Sequence, residues 1–125
     1  MIGFFDSGIG GLTILEAVHR RLPDLETRYV DDRAHAPYGG RSREELLELT
    51  WAGCKALFEQ RCRLVIIACN TASANALREI QQRRLFAYPG RNVLGIIRPT
   101  VEELLARVPV DRRPFHDRDQ TKRRL

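Results

Sequence analysis

The sequence predicts an α/β protein, built on a single open parallel sheet of about four strands with helices on both faces. Short and almost wholly apolar runs alternate along the chain with longer segments whose apolar residues recur at helical spacing. Strands of this composition are typical of parallel sheets that helices cover on both sides. The length of 125 residues is enough for one hydrophobic core, so a single compact domain is expected.

The first half of the chain contains two predicted strand–helix units. The run "MIGFF" ends in a glycine turn, and "LTILEAVHRRL" follows with leucine and valine at helical spacing until Pro23. A weakly alternating strand, "ETRYVDD", leads into the loop "RAHAPYGGRS", which its proline and two glycines indicate. The second helix, "REELLELTWAGCKALFEQR", carries a long apolar stripe, and Trp51, Leu57 and Phe58 are expected in the core.

The second half repeats the alternation of strand and helix. "CRLVIIA" predicts a buried strand from its branched apolar residues, and "TASANALREIQQRRL" predicts the helix after it, with Thr71 and Ser73 as candidate caps. "NVLGII" predicts a fourth strand and "VEELLARV" a final helix. Residues 109–125 combine dense charge with little apolar periodicity, so we expect a lobe over residues 1–108 and a basic, disordered tail over 109–125.

Composition and charge narrow the classes of function. No stretch approaches the roughly 20 apolar residues of a membrane span and no charged-then-apolar leader opens the sequence, so a cytoplasmic protein is expected. Of the net charge of +5, residues 111–125 carry +3, and the mild excess elsewhere disfavours nucleic acid as a partner. The odd count of three cysteines shows no paired spacing, which disfavours both a disulfide framework and a zinc site.

Titratable and hydrogen-bonding residues gather where the predicted strands end. They are Asp6-Ser7-Gly8, Asp31-Asp32 and Cys69-Asn70-Thr71. The carboxyl ends of parallel strands share one edge of the sheet, where ligands bind, and the helix starts beside them favour anions. The turn "GIGG" matches neither a dinucleotide-binding fingerprint, because Thr13 stands at the third glycine position, nor a Walker loop. The glycines could equally form a plain turn, and Asp6 a plain helix cap.

Cys69 is the most informative of these residues. A cysteine between a strand end and a helix start lies near the helix amino terminus, which favours the reactive thiolate. The alternative is a small buried hydrophobic residue, as most free cysteines are, and Cys54 and Cys62 fit that description. A hydrolase that pairs Cys69 with His35, on the loop after the second strand, is a further alternative.

The loop after the second strand contains Pro37-Tyr38-Gly39. On pattern alone this is a turn made rigid by proline. Its functional interpretation is a cover of backbone amides and a phenol hydroxyl over the strand ends.

Three segments together resemble a known family. "GFFDSGIGGLTIL", "DDRAHAPYGGRS" and "VIIACNTASA" are similar, in order and spacing, to the amino-terminal part of glutamate racemase, in the aspartate/glutamate racemase family. The likeness covers about residues 1–108. It implies a cofactor-independent isomerase that supplies D-glutamate for bacterial peptidoglycan, and so for cell wall biogenesis and cell shape. The choice of glutamate over aspartate rests on the resemblance.

The resemblance also implies roles for individual residues. The family moves the α-proton of its substrate with two cysteines on opposite faces, and Cys69 is similar to one of them. Asp6 is similar to the carboxylate that assists this thiol. Substrate-binding roles are implied for Ser7, Pro37, Tyr38, Gly39, Asn70 and Thr71. No metal and no cofactor are implied.

One departure limits the expected activity. The second cysteine of the family lies in a Cys-Thr-His motif, and neither Cys54 nor Cys62 is followed by Thr-His. We therefore expect a truncated lobe that is inactive alone, with glutamate as its ligand and with self-association or a second lobe to complete it. The alternative from another class is a non-catalytic module derived from that lobe, which binds an amino acid or a partner.

Overall fold

Within residues 1–96, four parallel strands and three α-helices alternate along the chain. The computed structural model describes residues 1–96, within which the strands are β1 (Ile2–Asp6), β2 (Thr27–Asp31), β3 (Leu64–Ile67) and β4 (Asn92–Gly95). The helices are α1 (Leu12–Arg21), α2 (Arg43–Glu59) and α3 (Asn70–Glu79). The sheet has the order β2-β1-β3-β4, and every neighbouring pair is parallel. The predicted α/β class with about four parallel strands is therefore confirmed.

The register of the strands brings their carboxyl ends to one level. Phe5 of β1 lies opposite Val30 of β2 and Ile67 of β3. The N–H of Ala68 donates to the Phe5 carbonyl at 2.7 Å, which extends the pairing of β1 and β3 beyond the end of β3. The segments that follow the three strands therefore reach the same edge of the sheet.

Side chains of β1 alternate between two faces, and each face meets different helices. Phe5 points toward α2, where a Cβ built on Gly53 would overlap its ring. On this face α3 packs against α2 and β4. Phe4 points to the opposite face, where it lines a cavity together with Ile14 and Val18 of α1. Helices therefore lie on both faces of the sheet.

The main core lies between the sheet and the pair of helices α2 and α3. Its buried members include Phe5, Trp51, Leu57, Phe58, Val65, Ile67 and Val93. Cys54 and Cys62 are both 0 % exposed. Burial raises the pKa of Cys54 to about 12 and also raises the pKa of Cys62, which keeps both thiols protonated. The predicted place of these two cysteines in the core is confirmed.

The opposite face of the sheet is only partly covered by α1. A cavity of about 310 Å³ beside this helix is lined mainly by Phe4, Ile14, Val18, Ile66 and Leu94. We call this cavity the open apolar groove. Leu94 keeps 40 % of its surface exposed there. Within residues 1–96, helix cover is thus more extensive on the face of α2 and α3.

The start of α3 differs from the prediction. Its cap is Cys69 rather than Thr71 or Ser73, because the sulfur accepts a hydrogen bond from the N–H of Ala72. Ser73 lies inside the helix and donates to the carbonyl of Ile67 at 3.1 Å. The helix therefore begins before both of the residues predicted to cap it.

The end of α3 also differs from the prediction. The α-helix ends at Glu79, and a wider π-helical turn (Ile80–Arg84) and a 3₁₀ turn (Leu85–Ala87) follow it. The side-chain amide of Gln81 donates to the carbonyl of Val93 at 2.8 Å. A contact with β4 thus holds the turn that replaces the predicted helical residues.

Part of the sequence-based prediction falls on residues 97–125. The end of the fourth strand, the helix over 101–108 and the tail over 109–125 lie outside the described residues. Within residues 1–96, no helix is both long enough and apolar enough to cross a membrane.

Candidate functional site

Three chain segments meet at the carboxyl edge of the sheet. They follow β1, β2 and β3, and they contribute Ser7, the loop of residues 33–42 and Cys69. Together with Asp6, at the end of β1, these groups form what we call the candidate site. It lies where open parallel sheets bind their ligands.

The Cys69 sulfur lies at the start of α3 and accepts hydrogen bonds from two donors. The Ser7 hydroxyl donates to Sγ at 3.0 Å, and the backbone N–H of Ala72 donates to it at 3.4 Å. The residue keeps 9 % of its surface exposed, unlike the fully buried Cys54 and Cys62. Of the three cysteines, Cys69 is therefore the one whose sulfur lies at the carboxyl edge of the sheet, and its catalytic role stays a prediction.

Asp6 is buried beside the glycine turn, and two donors of its own hold its carboxylate. Oδ2 accepts from the N–H of Gly11 at 2.5 Å and from the Tyr29 hydroxyl at 2.7 Å. Glycine is required at position 11, because an added Cβ would lie 2.8 Å from both Asp6 Oδ2 and Ala68 Cβ. The side chain that hydrogen-bonds to the thiol is that of Ser7, the next residue. Assistance of the thiol by Asp6 stays a prediction.

Tyr29 is a residue of this region that sequence reasoning missed. Burial, the hydrogen bond to Asp6 and the charges of Asp6 and Asp31 raise the pKa of Tyr29, so its hydroxyl remains a donor. The same hydroxyl lies 3.3 Å from the carbonyl oxygen of Gly8, so it links β2 to the turn after β1. The available signal was its place in β2, opposite Phe4.

The loop of residues 33–42 folds back onto the sheet through Tyr38. The Tyr38 side chain is buried, and its ring centroid lies 6.4 Å from that of Phe5. It belongs to the same buried cluster as Cys69. Its hydroxyl donates to Asp32 Oδ2 at 2.7 Å, so the predicted phenol group is present but is bonded to a carboxylate of the protein.

The remaining residues predicted to bind substrate surround this edge. Pro37 and Gly39 flank Tyr38 in the loop, and both are exposed. Asn70 is exposed and Thr71 is half-buried, and both lie in the first turn of α3. The fold thus brings these residues to one edge of the sheet, and their contacts with a substrate stay predictions.

His35 is bonded to a carboxylate rather than to the thiol. Its Nδ1 lies 2.8 Å from Asp32 Oδ1, and its side chain is 49 % exposed. The Cys69 sulfur instead accepts from Ser7 and Ala72, so this arrangement does not support the Cys–His hydrolase alternative. Across residues 1–96, no group of three or more potential metal-ligating side chains comes together.

Related sequences are those of glutamate racemases. The chain is 55 % identical over 106 residues to the glutamate racemase of Phenylobacterium zucineum (strain HLK1), a match that covers 81 % of the chain and 38 % of that relative. It is 49 % identical over 113 residues to the glutamate racemase of Ruegeria pomeroyi, over 90 % of the chain and 41 % of that relative. The chain thus spans about two fifths of the length of these curated relatives, in their amino-terminal part. No family model matches the chain.

Solved glutamate racemases share the fold. The structure from Aquifex pyrophilus matches with a TM-score of 0.75 at 37 % identity, over 86 % of this chain and 41 % of that chain. The enzyme from Francisella tularensis, solved in complex with D-glutamate, gives a TM-score of 0.72 at 38 % identity, over 82 % of this chain and 38 % of that chain. Sequence and fold agree: over most of its length the chain is similar to the amino-terminal part of glutamate racemases.

Proposed function

We propose that the chain supplies one half of a glutamate racemase active site, in which Cys69 transfers the α-proton on one face of glutamate. The observation that carries the proposal is the position of the sulfur, which caps α3 and accepts hydrogen bonds from Ser7 and Ala72. These donors stabilise negative charge on sulfur, as a base that removes an α-proton requires. Identities of 55 % and 49 % to named glutamate racemases support the choice of reaction.

The proposed step moves one proton between sulfur and the α-carbon. The thiolate takes the proton, so an S–H bond forms while the C–H bond breaks, and the electron pair stays on the α-carbon. Return of the proton from the same sulfur restores the starting enantiomer, whereas inversion needs an acid on the opposite face. Cys54 and Cys62 do not serve as that acid, because both are buried in the core. The chain alone is therefore expected to exchange the proton without inverting the carbon.

The opposite acid is proposed to come from outside the described residues. The matched relatives are more than twice as long as the matched segment, which leaves room in them for a second lobe. A second lobe or a second copy of the chain would then close the site from the other side. The isolated chain is accordingly proposed to be inactive as a racemase.

The proposed substrate is L- or D-glutamate. Asn70 and Thr71 stand in the first turn of α3, where free backbone N–H groups favour a carboxylate. Ser7 and the loop that contains Tyr38 border the same edge. Asp6 is proposed to assist the thiol from its buried position in the turn. The D-glutamate complex of the Francisella tularensis relative supports this choice of ligand.

The wider role follows from the family. D-glutamate made by such a site would serve bacterial peptidoglycan, in the cytoplasm, and the proposed step uses side chains only, with no metal or cofactor. Each of these statements is part of the proposal and rests on the similarity to glutamate racemases.

Two signals from Cys69 test the proposal. Proton NMR in deuterated buffer follows the α-proton of L-glutamate and of D-glutamate, in separate samples with the purified chain. We expect deuterium to enter one enantiomer with retention of configuration, and Cys69→Ser to abolish the exchange. The second signal is the rate at which iodoacetamide alkylates Cys69, which glutamate is expected to slow by occupying the site.

The matched control is Cys54→Ala, which removes a core thiol and is expected to leave both signals in place. Exchange that survives Cys69→Ser would overturn the proposal, and so would the absence of both exchange and protection. Deuterium that enters both enantiomers with inversion would contradict the statement that the chain carries one working acid–base group.

A further inference from the structure

Both carboxylate oxygens of Asp32 form hydrogen bonds with side chains of the loop of residues 33–42. Oδ1 lies 2.8 Å from His35 Nδ1, and Oδ2 accepts from the Tyr38 hydroxyl at 2.7 Å. The backbone N–H of Asp32 donates to the carbonyl of Asp6 at 2.9 Å, which fixes Asp32 to the end of β1. The Asp32 carboxylate is therefore a junction between the sheet and the loop of residues 33–42.

Apart from the ion pair between Arg33 and Asp31 of β2, the other side-chain polar contacts described for this loop stay within it or reach α2. Arg41 Nε donates to the carbonyl of His35 at 3.0 Å, and Arg41 Nη1 donates to Glu45 Oε2 at 3.1 Å. Ser42 caps α2 by accepting from the N–H of Glu45 at 3.2 Å. Within residues 1–96, the Tyr38 side chain is thus joined to the end of the sheet by the hydrogen bond from its hydroxyl to Asp32.

The position of Tyr38 bears on the thiol, because its ring is 2 % exposed within the buried cluster that contains Phe5 and Cys69. Burial, the hydrogen bond to Asp32 and the charges of Asp32 and Cys69 raise the pKa of Tyr38, so its hydroxyl stays protonated. Burial alone would raise the pKa of Asp32, yet the hydrogen bonds from His35 and Tyr38 hold it below its ordinary value. A protonated donor therefore meets a charged acceptor.

We propose that Asp32 is a positioning residue that holds the loop of residues 33–42 closed beside Cys69 through Tyr38. The inference rests on the proposed function only in taking Cys69 as the reacting thiol. A hydrogen bond to a charged acceptor is stronger than one between neutral groups, so loss of the carboxylate favours an open loop. Asp32 would then set the exposure of the thiol without touching the reacting atoms.

Site-resolved labelling of cysteines tests this proposal in the full chain. The chain, Asp32→Ala and the matched control Asp31→Ala are treated with iodoacetamide, and mass spectrometry reports the labelling of each cysteine. Asp31 is the adjacent carboxylate, and it pairs with Arg33 at 3.3 Å. We expect Asp32→Ala to speed the labelling of Cys69 roughly tenfold or more, as the loss of a charge-assisted hydrogen bond implies. Asp31→Ala removes the same charge and is expected to leave the rate within about twofold of the unaltered chain.

Two further measurements separate positioning from general destabilisation. Cys54 and Cys62 are fully buried, so their labelling reports opening of the core rather than of the loop. Tyr38→Phe keeps the ring and removes the hydroxyl, and it is expected to speed the labelling of Cys69 as Asp32→Ala does. Because both changes break the hydrogen bond between Tyr38 and Asp32, the double variant is expected to add little to either single variant.

Equal labelling rates of Cys69 in the unaltered chain and in Asp32→Ala would overturn the proposal. Labelling of Cys54 and Cys62 that rises in step with that of Cys69 would overturn it too. Protection of Cys69 by L-glutamate is a separate measurement. If glutamate does not protect Cys69 in the unaltered chain, that result counts against the proposed function. The ratio of Cys69 labelling rates between Asp32→Ala and the unaltered chain still tests the role of Asp32. Where protection is present, Asp32→Ala is expected to weaken it, because Tyr38 is released from the site.

Discussion

The contact between Ser7 and Cys69 joins the turn after β1 to the start of α3. The two residues are 62 positions apart in the chain, and the Ser7 hydroxyl donates to the sulfur at 3.0 Å. A hydroxyl that donates to sulfur stabilises negative charge there. Ser7 is therefore placed to tune the thiol in addition to its predicted role in binding substrate.

Ser7→Ala is expected to slow the alkylation of Cys69 by about two- to tenfold at neutral pH, because the sulfur loses one donor worth roughly 0.5–1.5 kcal/mol. The rate constant for iodoacetamide, measured by mass spectrometry at residue 69, checks this expectation. Ser7→Thr keeps a hydroxyl and serves as the matched control. An alanine variant that reacts as fast as the unaltered chain would show that the hydroxyl does not act on the sulfur.

At the scale of residues, the sequence predicts the positions of candidate residues better than it predicts their contacts. The place of Cys69, Asp6 and Ser7 at one edge of the sheet is predictable because each lies where an apolar run ends and a helix or turn begins. The hydrogen bonds of Tyr29 and Asp32 are not predictable in the same way. They depend on β2 lying beside β1 in a particular register, which periodicity within one segment does not reveal.

Helix α2 lies close to β1 because of one small residue. A Cβ built on Gly53 would overlap the ring of Phe5, which is itself fully buried. At an exposed helical position, replacing glycine by alanine would stabilise a protein by roughly 1 kcal/mol. Here the steric cost of overpacking, about 1–3 kcal/mol, opposes that gain. The sign of the change in the free energy of unfolding on replacing Gly53 by alanine thus indicates how closely the helix approaches the strand.

Gly53→Ala is expected to lower the free energy of unfolding by about 1 kcal/mol or more, because the buried Phe5 ring cannot move into free space. Urea unfolding followed by circular dichroism measures this change. Ala52→Ser, at the exposed neighbouring position of the same helix, is the control and is expected to change stability by less than about 0.5 kcal/mol. A stabilised Gly53→Ala variant would contradict the close approach.

At the scale of elements, the order of strands and helices is predictable from the sequence, but the residues at which they end are not. Apolar periodicity alone predicts four strands alternating with helices, and residues 1–96 contain the four strands and three of the helices. The predicted third helix runs to residue 85, whereas α3 ends at Glu79. The bond from Gln81 to the Val93 carbonyl helps to hold the turn beyond it, and that partner belongs to a later strand. Such ends are set by atoms that are distant in sequence.

The acid stability of the whole molecule depends on carboxylates that join separate elements. Burial raises the pKa of Asp32, but the bonds from His35 and Tyr38 outweigh it and hold the pKa below the usual 3.8. The hydrogen bond from Arg84, beyond α3, lowers the pKa of Glu48 in α2 below the usual 4.5. The unfolded chain binds protons more readily at both groups. Both groups therefore contribute fully to the free energy of unfolding at pH values above their ordinary pKa. This contribution is lost as the pH falls through their lower pKa values in the folded protein.

The midpoint of thermal unfolding is expected to stay level from pH 7 to about pH 5 and to fall below about pH 4. Circular dichroism melts over this range measure it. Asp32→Ala is expected to lower the level part of the profile and to make the acid decline shallower, because one of the groups responsible is removed. A variant with an unchanged acid decline would contradict the assignment to Asp32.

At the scale of the whole molecule, the sequence predicts that the sheet is buried but not what buries it. The run "NVLGII" is apolar on both sides, which indicates cover on both faces. Leu94 nevertheless remains 40 % exposed in the open apolar groove. An apolar side chain indicates that a position is buried, but the element that buries it can lie anywhere in the protein. The matched relatives extend well beyond the segment that this chain shares with them.

The sulfur proposed to carry the chemistry is also the cap of α3. An electrophilic inhibitor that alkylated this sulfur would convert it to a thioether, a weaker acceptor, and so loosen its bond to the Ala72 N–H and the first turn of the helix. Inactivation would then be coupled to local melting of Asn70 and Thr71, so a covalent inhibitor would disorder part of the surface that it blocks. Serine at position 69 would conserve the cap, and alanine would not.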